Sequence, residues 1–247
     1  MIFLKTKEEI ELMRVAGQKL AKVVRRVEKE VRPGITTAEI DDLARDLIEK
    51  TGGYPAFKGY RGFPSHACVS VNEEIVHGIP GDRLLKDKDI VSIDLGLKYE
   101  GYFADSAFTM ALGKVNGRIK KLIDVTKKAL YLGINKARVD NCLFDISYSI
   151  QNFVEANGFS VVRDFVGHGI GKKMHEDPEV PNFGKAHTGP VLQAGMVIAI
   201  EPMVNMGTWE VDILDNGWTA VTKDGKPSAH FEHTVAITEK GPQILTQ

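Results

Sequence analysis

The sequence has few cysteines and no long apolar run, and each absence excludes a class of protein. Cys68 and Cys142 are the only cysteines among 247 residues, which is too few for a disulfide framework and is typical of a reducing compartment. The longest apolar stretches, such as residues 196–200, are far shorter than the ~18 residues that a membrane helix needs. Charged residues follow the apolar residues 2–4 at once, which excludes a signal peptide. We therefore expect a cytoplasmic protein.

The chain also lacks a net charge of either sign. It has 32 Lys and Arg residues against 33 Asp and Glu residues, a formal net charge of -1. This balance argues against a dedicated binder of nucleic acid or of an anionic membrane. Apolar residues make up 43% and charged residues 26%, as in ordinary globular proteins. A chain of this length can bury about three-quarters of its unfolded surface, so it needs no disulfide or structural metal to fold.

Two capping boxes predict two N-terminal helices. Thr6 stands three residues before Glu9, and Thr36 three residues before Glu39, each ahead of apolar residues at helical spacing. Glycine or proline pairs follow both segments and predict where the helices end. Apolar patterning predicts the later elements. These are strands near 90–94 and 102–112, helices near 118–137 and 143–156, and strands near 196–201 and 229–237.

An internal repeat relates the two halves of the chain. Residues 85–94 align without gaps on residues 192–201 at an offset of 107, and residues 48–52 resemble residues 154–158 at an offset of 106. Each half, about 6–113 and about 118–241, would then be a helix-helix-strand-strand unit. We predict an α+β fold with pseudo-twofold symmetry around a mainly antiparallel sheet, in which residues 1–247 form a single catalytic domain.

Four acidic residues interrupt otherwise apolar strands: Asp94, Asp105, Glu201 and Glu232. A buried carboxylate needs a cation, strong hydrogen bonds or a proton. The alternative interpretation is four separate strand-end acids that cap loops or pair with Lys and Arg. The repeat places them at comparable positions of the two halves, and two divalent cations are the usual way to hold clustered carboxylates together.

His168 is the candidate nitrogen ligand. It lies between glycines in Gly167-His168-Gly169-Ile170-Gly171, which we interpret as a bare, tightly turned backbone with room for a metal or substrate. The alternative is a structural glycine turn with a hydrogen-bonded histidine. His77 precedes Gly-Ile as His168 does, and His175 could reach the same cleft; the alternative for His175 is a solvent-facing loop histidine. The other histidines are expected to be inert: His66, His187, His230 and His233.

Oxygen-rich ligation with one imidazole suits Mn, Fe, Co or Zn better than a closed, cysteine-rich zinc site. The sequence offers no support for a nucleophilic serine or cysteine. Cys68, between Ala67 and Val69, is interpreted as a small buried residue that could line a pocket.

Taken in order, these motifs resemble those of the pita-bread metallopeptidases, and most closely the type I methionine aminopeptidases. The resemblance runs along nearly the whole chain. Its most specific part is a set of five residues. The set begins with Asp94 and Asp105, and its other members are His168 in His168-Gly-Ile-Gly, Glu201 in Glu201-Pro and Glu232 in Phe231-Glu232-His-Thr. His175-Glu176-x-Pro178 and His77-Gly-Ile-Pro80 also match.

The resemblance implies a site for two divalent metal ions (Co, Mn, Fe or Zn). Asp94 would chelate one ion, Asp105 and Glu232 would bridge both, and His168 with Glu201 would complete the second. Glu201 would also shuttle a proton. His175 would contact the scissile carbonyl or its oxyanion, and His77 the leaving side of the substrate.

The resemblance also implies an apolar pocket for a methionine side chain. Its walls would be Tyr60, Phe63, Cys68 and Trp218, together with Phe57; the alternative for these aromatics is ordinary core. Met174 stands where the family commonly has an aromatic residue, so we expect that edge of the pocket to be looser.

The function that the resemblance implies is removal of the initiator methionine from nascent proteins and peptides when the second residue is small. For this function we expect a monomer that contacts the ribosome transiently. We expect no direct role for nucleic acid or for a membrane. Two alternatives remain open. One is cleavage of Xaa-Pro bonds, as by aminopeptidase P or prolidase, and the other is a non-catalytic pita-bread binding module.

Overall fold

Each half of the chain begins with two helices and continues with strands, as a computed structural model of residues 1–247 describes. The helices are α1 (Lys7–Glu30), α2 (Thr37–Lys50), α3 (Gly117–Ile134) and α4 (Leu143–Ala156). The first-half strands are β1 (Tyr54–Pro55), β2 (Ala67–Val71), β3 (Glu74–Val76), β4 (Ile90–Tyr99) and β5 (Tyr102–Ala111). The second-half strands are β6 (Ser160–Val161), β7 (Gly167–Gly169), β8 (Glu176–Val180), β9 (Val197–Ile200), β10 (Met203–Asn205), β11 (Val211–Ile213), β12 (Ala220–Thr222), β13 (Ser228–His230), β14 (His233–Thr238) and β15 (Gly241–Ile244). None of the helices combines the length and apolarity that crossing a bilayer requires.

Every strand pairing in the molecule is antiparallel. In the first half, β4 pairs with β1, β2 and β5. In the second half, five strands pair in the order β15-β14-β9-β7-β8. Two small sheets, β13-β10-β6 and β11-β12-β3, complete the molecule. This mixture of helices and antiparallel sheets confirms the predicted α+β class.

The repeat that the sequence shows recurs in the backbone hydrogen bonds. The N–H groups at and just before the start of α2 donate to carbonyls in the loop before β4, and those at and just before the start of α4 donate to the corresponding loop before β9. The matched bonds are Gly34→Leu85 with Asp140→Leu192, Thr37→Arg83 with Leu143→Pro190, and Ala38→Gly81 with Phe144→Thr188. The donors differ by 106 positions and the acceptors by 107, which are the offsets of the sequence alignment.

Helix α1 packs its apolar face on the first-half strands. Met13, Ala16, Leu20 and Val27 are fully buried on that face, and the helix contacts β4 and β5. Burying one such Leu or Val side chain contributes about 1.5–3 kcal/mol. Helix α3 packs on α4 and contacts β13. The helices thus hold the long hairpin β4–β5, which carries two of the four acids.

The predicted strand near 229–237 is wrong in one respect, because it is two strands. β13 pairs with β10, whereas β14 pairs with β9, and these pairs belong to different sheets. The chain changes sheets at Phe231 and Glu232. The segment that pairs with it, β9 followed by β10, changes sheets at Glu201 and Pro202. Proline has no N–H to donate to a neighbouring strand there. Glu201 and Glu232 therefore lie at two facing strand breaks.

Candidate metal centre and active site

The four acids converge because strand pairing places them side by side. Asp94 in β4 stands opposite Ala107, and Asp105 in β5 stands opposite Gly96. Residues two positions apart on paired strands project from the same face. Glu201 and Glu232 flank the His233↔Ile200 pair of β14 and β9. All four line one cavity of about 720 Å³.

Hydrogen bonds between β5 and β14 hold the two halves of the site together. The Asp105 N–H donates to Thr234 Oγ1 (3.0 Å), and that hydroxyl donates to the Asp105 carbonyl (2.9 Å). The Glu232 N–H donates to the Ala107 carbonyl (2.9 Å), and the Ser106 hydroxyl donates to the Glu232 carbonyl (3.0 Å). Asp105 and Glu232 are thereby fixed by their backbones before any ion binds.

His168 completes the cluster from β7. Its Nε2 lies 3.6 Å from Glu201 Oε1 and 3.9 Å from Asp105 Oδ2. Its Nδ1 faces the Gly169 carbonyl at 2.9 Å, so Nδ1 carries the proton and leaves the Nε2 lone pair free for a ligand. One ligand atom each from Asp105, His168 and Glu232 lies within 4.8 Å of the others.

The carboxylates lack the partners that burial demands. Asp94 Oδ1, Asp105 Oδ1 and Glu232 Oε1 are buried without a hydrogen-bond partner. Burial raises the pKa of Asp94 to about 7. Burial and neighbouring acids raise the pKa values of Asp105, Glu201 and Glu232 well above their ordinary values. Such a set cannot be fully ionised without added positive charge, and its donors fit a divalent cation.

The glycines around His168 have a different physical reason from the one expected. The sequence predicts a tight turn, but Gly167–Gly169 is an extended strand. A Cβ on Gly167 would lie 2.4 Å from the Ala199 carbonyl oxygen, and one on Gly169 would lie 2.1 Å from that of Asp177. Neighbouring backbones therefore approach β7 so closely that only glycine fits beside the histidine.

His175 lies next to His168 and is held by a tyrosine. Its ring centroid is 4.0 Å from that of His168, and it stacks on Tyr60 at 5.1 Å. Its Nδ1 is 2.8 Å from the Tyr60 hydroxyl. Partial desolvation and the neighbouring His168 and Arg61 lower the pKa of His175 to about 3. The ring is therefore neutral, and the Tyr60 hydroxyl holds its Nδ1 edge.

His77 lines the same cavity from the other side. Its backbone is left-handed, with φ of 59°, and its ring meets Phe165 edge-on at 5.4 Å and Trp218 at 6.3 Å. Burial lowers the pKa of His77. The structure thus brings His77, His168 and His175 to one cavity.

The residues expected to form an apolar pocket share one cluster. Phe57, Phe63, Cys68 and Met174 are buried in it, and Tyr60 and Trp218 pack against them. Phe63 meets Trp218 edge-on at 5.2 Å. Burial and the nearby Asp94 raise the pKa of the Cys68 thiol, so this cysteine is a neutral wall residue.

His230 is not inert in its placement, contrary to the expectation from sequence. It is 2% exposed, lines the cavity, and its unpartnered Nε2 lies 3.7 Å from Glu201 Oε2. Burial lowers the pKa of His230 to about 3. A signal was available: His230 is two residues from Glu232, and in an extended chain such residues share a face.

The remaining three histidines do not line the cavity. His66 Nδ1 lies 2.7 Å from Asp41 Oδ2, and the His187 side chain is 89% exposed. His233 Nδ1 lies 2.9 Å from the Thr246 hydroxyl, so its ring turns away from the acid beside it, as strand alternation predicts.

Known proteins match this sequence along nearly its whole length. The model of metallopeptidase family M24 matches residues 11–239. The chain is 57% identical over 246 residues to the methionine aminopeptidase of Clostridium perfringens, covering 100% of this chain and 99% of the relative. It is 52% identical over 247 residues to methionine aminopeptidase 1 of Bacillus subtilis, covering 100% of both.

Solved structures give the same result for the fold. The methionine aminopeptidase of Thermotoga maritima superposes with a TM-score of 0.98 at 47% identity, covering 100% of both chains. The prolidase of Pyrococcus furiosus superposes with a TM-score of 0.81 at 25% identity, covering 99% of this chain and 65% of the prolidase. The architecture is therefore the pita-bread fold expected from sequence.

Proposed function

The chain belongs to metallopeptidase family M24, and we propose that it is a methionine aminopeptidase. Its reaction would be hydrolytic removal of the N-terminal (initiator) methionine from nascent proteins and peptides whose second residue is small. One observation carries this proposal. Four acids, two of them buried and two partly exposed, and a histidine with a free Nε2 lie in one cavity, beside an apolar pocket. Relatives that carry this activity in their names match the chain over its full length.

Membership of a metallopeptidase family means that divalent metal ions take part. The unpartnered oxygens of Asp94, Asp105 and Glu232 support a two-ion site. In this proposal the ions would be held by five side chains: Asp94, Asp105, His168, Glu201 and Glu232. The ligand chemistry suits Co, Mn, Fe or Zn. Bound cations supply Lewis-acid chemistry, because they lower the pKa of an attacking water and polarise the carbonyl.

Glu201 is the proposed proton shuttle. Its carboxylate lies at a strand break, 13% exposed, between His168 and His230. From there it would take a proton from the attacking water and pass it to the leaving amine. Its burial keeps bulk water from competing for that proton.

His175 and His77 are proposed to hold the substrate during bond cleavage. With the Tyr60 hydroxyl donating to Nδ1, His175 would carry its proton on Nε2 and would stabilise the carbonyl oxygen as it gains charge. His77, against Phe165 and Trp218, would contact the leaving side. The free amine of the substrate would lie at the Asp94 end of the site, so an internal peptide bond would not be cleaved.

The apolar cluster of Phe57, Tyr60, Phe63, Cys68 and Trp218 would bind the methionine side chain. Its walls are aromatic and its single thiol is neutral, so burial of an unbranched apolar side chain is favourable. A pocket of this kind excludes larger groups sharply, but separates side chains that differ by one methylene only ~10–200-fold.

The proposal also covers the oligomeric state, the cellular location and the ribosome contact of the enzyme. We infer that the enzyme acts as a monomer in the cytoplasm and contacts the ribosome transiently. Sedimentation of purified protein would test the monomer, and co-sedimentation with ribosomes would test the contact.

The test is a peptide series with the ion-loaded enzyme. Met-Xaa-Ser peptides should be cleaved when Xaa is Gly, Ala or Ser, and poorly when Xaa is Leu or Phe. N-acetylated Met-Ala-Ser is the matched control and should resist cleavage. Activity on Xaa-Pro peptides alone would assign the prolidase-type reaction instead. Enzyme that stays inert with Mn or Co would indicate a binding module.

A further inference from the structure

Residues 1–6 lie against the strand that follows His175. Lys5 Nζ is 2.6 Å from Glu176 Oε2, and both side chains are only 6% exposed. The Lys5 N–H also donates to the Gly195 carbonyl at 2.8 Å. Among the ion pairs of lysine and arginine in this protein, this is the one whose two side chains are both buried.

The Glu176 carboxylate uses both oxygens to tie together the loop that holds His175. While Oε2 binds Lys5, Oε1 accepts a hydrogen bond from the Lys173 N–H at 3.0 Å. The Glu176 backbone stands opposite Gly169 in the β7–β8 pairing. A Cβ on Gly171 would lie 2.6 Å from Lys5 Cε and 2.7 Å from Glu176 Oε1. The last glycine of the His168 motif therefore leaves room for this ion pair.

Stability alone is a weak reason to bury such a pair. Replacing a buried ion pair by apolar side chains of similar size is often neutral or stabilising, since the charges must lose their hydration. What the pair does provide is a fixed position for residue 176. The preceding residue is His175, whose ring lies against Tyr60 and His168 in the cavity.

We propose that the buried Lys5–Glu176 ion pair positions His175 for catalysis, so that the N-terminal segment is part of the active-site framework. This inference rests on the role of His175 in the proposed function. Lys5 and Glu176 are positioning residues, because they reach the substrate only through His175.

A double-mutant cycle tests the inference. Lys5→Met should lower kcat on Met-Ala-Ser by about 30–100-fold and change KM less than about threefold, because a displaced His175 weakens contacts made in the transition state. In a His175→Ala background, Lys5→Met should lower kcat less than about threefold further, since the two residues act as a unit. Glu176→Gln provides a second variant if Lys5→Met does not fold. Lys5→Arg should recover part of the lost kcat.

A second readout does not depend on activity. In ion-free protein, NMR resonances of the His175 ring should shift in Lys5→Met or Glu176→Gln. Lys7→Met removes an exposed lysine two positions further on, at the start of α1; it is the matched control and should leave kcat and the ring resonances unchanged. Losses that multiply in the His175→Ala background, or unmoved ring resonances, would overturn the proposal. Wild-type protein without aminopeptidase activity would refute the proposed function, and the ring resonances would still decide this inference.

Discussion

Removing the divalent ions should make the protein less stable as pH rises. In the ion-free protein the buried carboxylates face one another with unpartnered oxygens, and their pKa values lie above those of exposed acids. A group whose pKa is raised by folding stabilises the folded state below its unfolded pKa. That stability is lost as pH rises through the folded pKa.

Asp94 sets a lower limit for the effect. Its pKa rises from 3.8 to about 7 on folding, so its carboxyl is mostly protonated in the folded state at pH 6 and mostly ionised at pH 8. Between these values the folded state loses about 1.4 kcal/mol of stability from this group alone, at about 1.36 kcal/mol per pKa unit. Asp105, Glu201 and Glu232 act in the same direction. For a protein stable by about 5–15 kcal/mol, this loss is large.

Urea denaturation after chelation measures the effect. The free energy of unfolding should fall between pH 6 and pH 8 in chelator-treated protein. Ion-saturated protein should show the opposite slope, because protons compete with the ions for the carboxylates at low pH. Asp94→Asn should weaken the slope of the ion-free protein, since the amide does not titrate. Asp42→Asn removes a 63% exposed carboxylate and should leave the slope unchanged.

Two results would refute this reasoning. One is ion-free protein that is equally or more stable at pH 8 than at pH 6, which would mean that the acids are not held together without cations. The other is an unaltered slope in ion-free Asp94→Asn, which would place the titrating groups elsewhere.

Three further predictions concern the active site and the domain. Glu201→Gln should lower kcat by roughly 10²–10⁴-fold, as expected for a lost general base, while unfolding stays cooperative; near-normal turnover would contradict the shuttle role. His66→Ala should change kcat less than about twofold, because its ring binds Asp41 outside the cavity, and a large loss would assign it to the machinery. Finally, urea unfolding followed by far-ultraviolet circular dichroism, which reports helices of both halves, should coincide with the fluorescence of Trp209 and Trp218 in the second half. Separate transitions would contradict a single domain.

Local sequence signals could predict the helices because local contacts form their ends. Both capping boxes are present as hydrogen bonds: Thr6 with Glu9, and Thr36 with Glu39. Each satisfies N–H groups that a helix start leaves without partners. The end of α3 was less predictable, since the helix stops at Ile134 and no proline or glycine follows it before α4 begins.

Sequence could not predict the two strand breaks at the site. Residues 229–237 contain no proline or glycine that would mark a break, but β13 and β14 pair with different partners. Which partner a strand finds depends on distant parts of the chain, and periodicity carries no such information. The breaks matter because Glu201 and Glu232 occupy them.

The reason for the glycines around His168 could not be predicted from the motif. It depends on which backbone lies within a few ångströms, and a motif shows only the order of residues. An alternation of glycines fits a left-handed turn or a crowded strand equally well. The close approach of the Ala199 and Asp177 backbones shows that the glycines belong to a crowded strand. Neither of these residues is part of the motif.

The site also gives a physical reason for the two halves to stay together. Each half carries two acids, and hydrogen bonds from Asp105 to Thr234 and from Glu232 to Ala107 join the halves at the site itself. Separating the halves would break these hydrogen bonds, and Asp105 and Glu232 would no longer face each other. Ions that bind only the joined form add RT ln(1 + [ion]/Kd) to its stability, about 4 kcal/mol at 1,000 times Kd. Ion binding and the association of the two halves would then be thermodynamically linked. A mutation that weakens the hydrogen bonds between the halves should therefore also weaken ion binding.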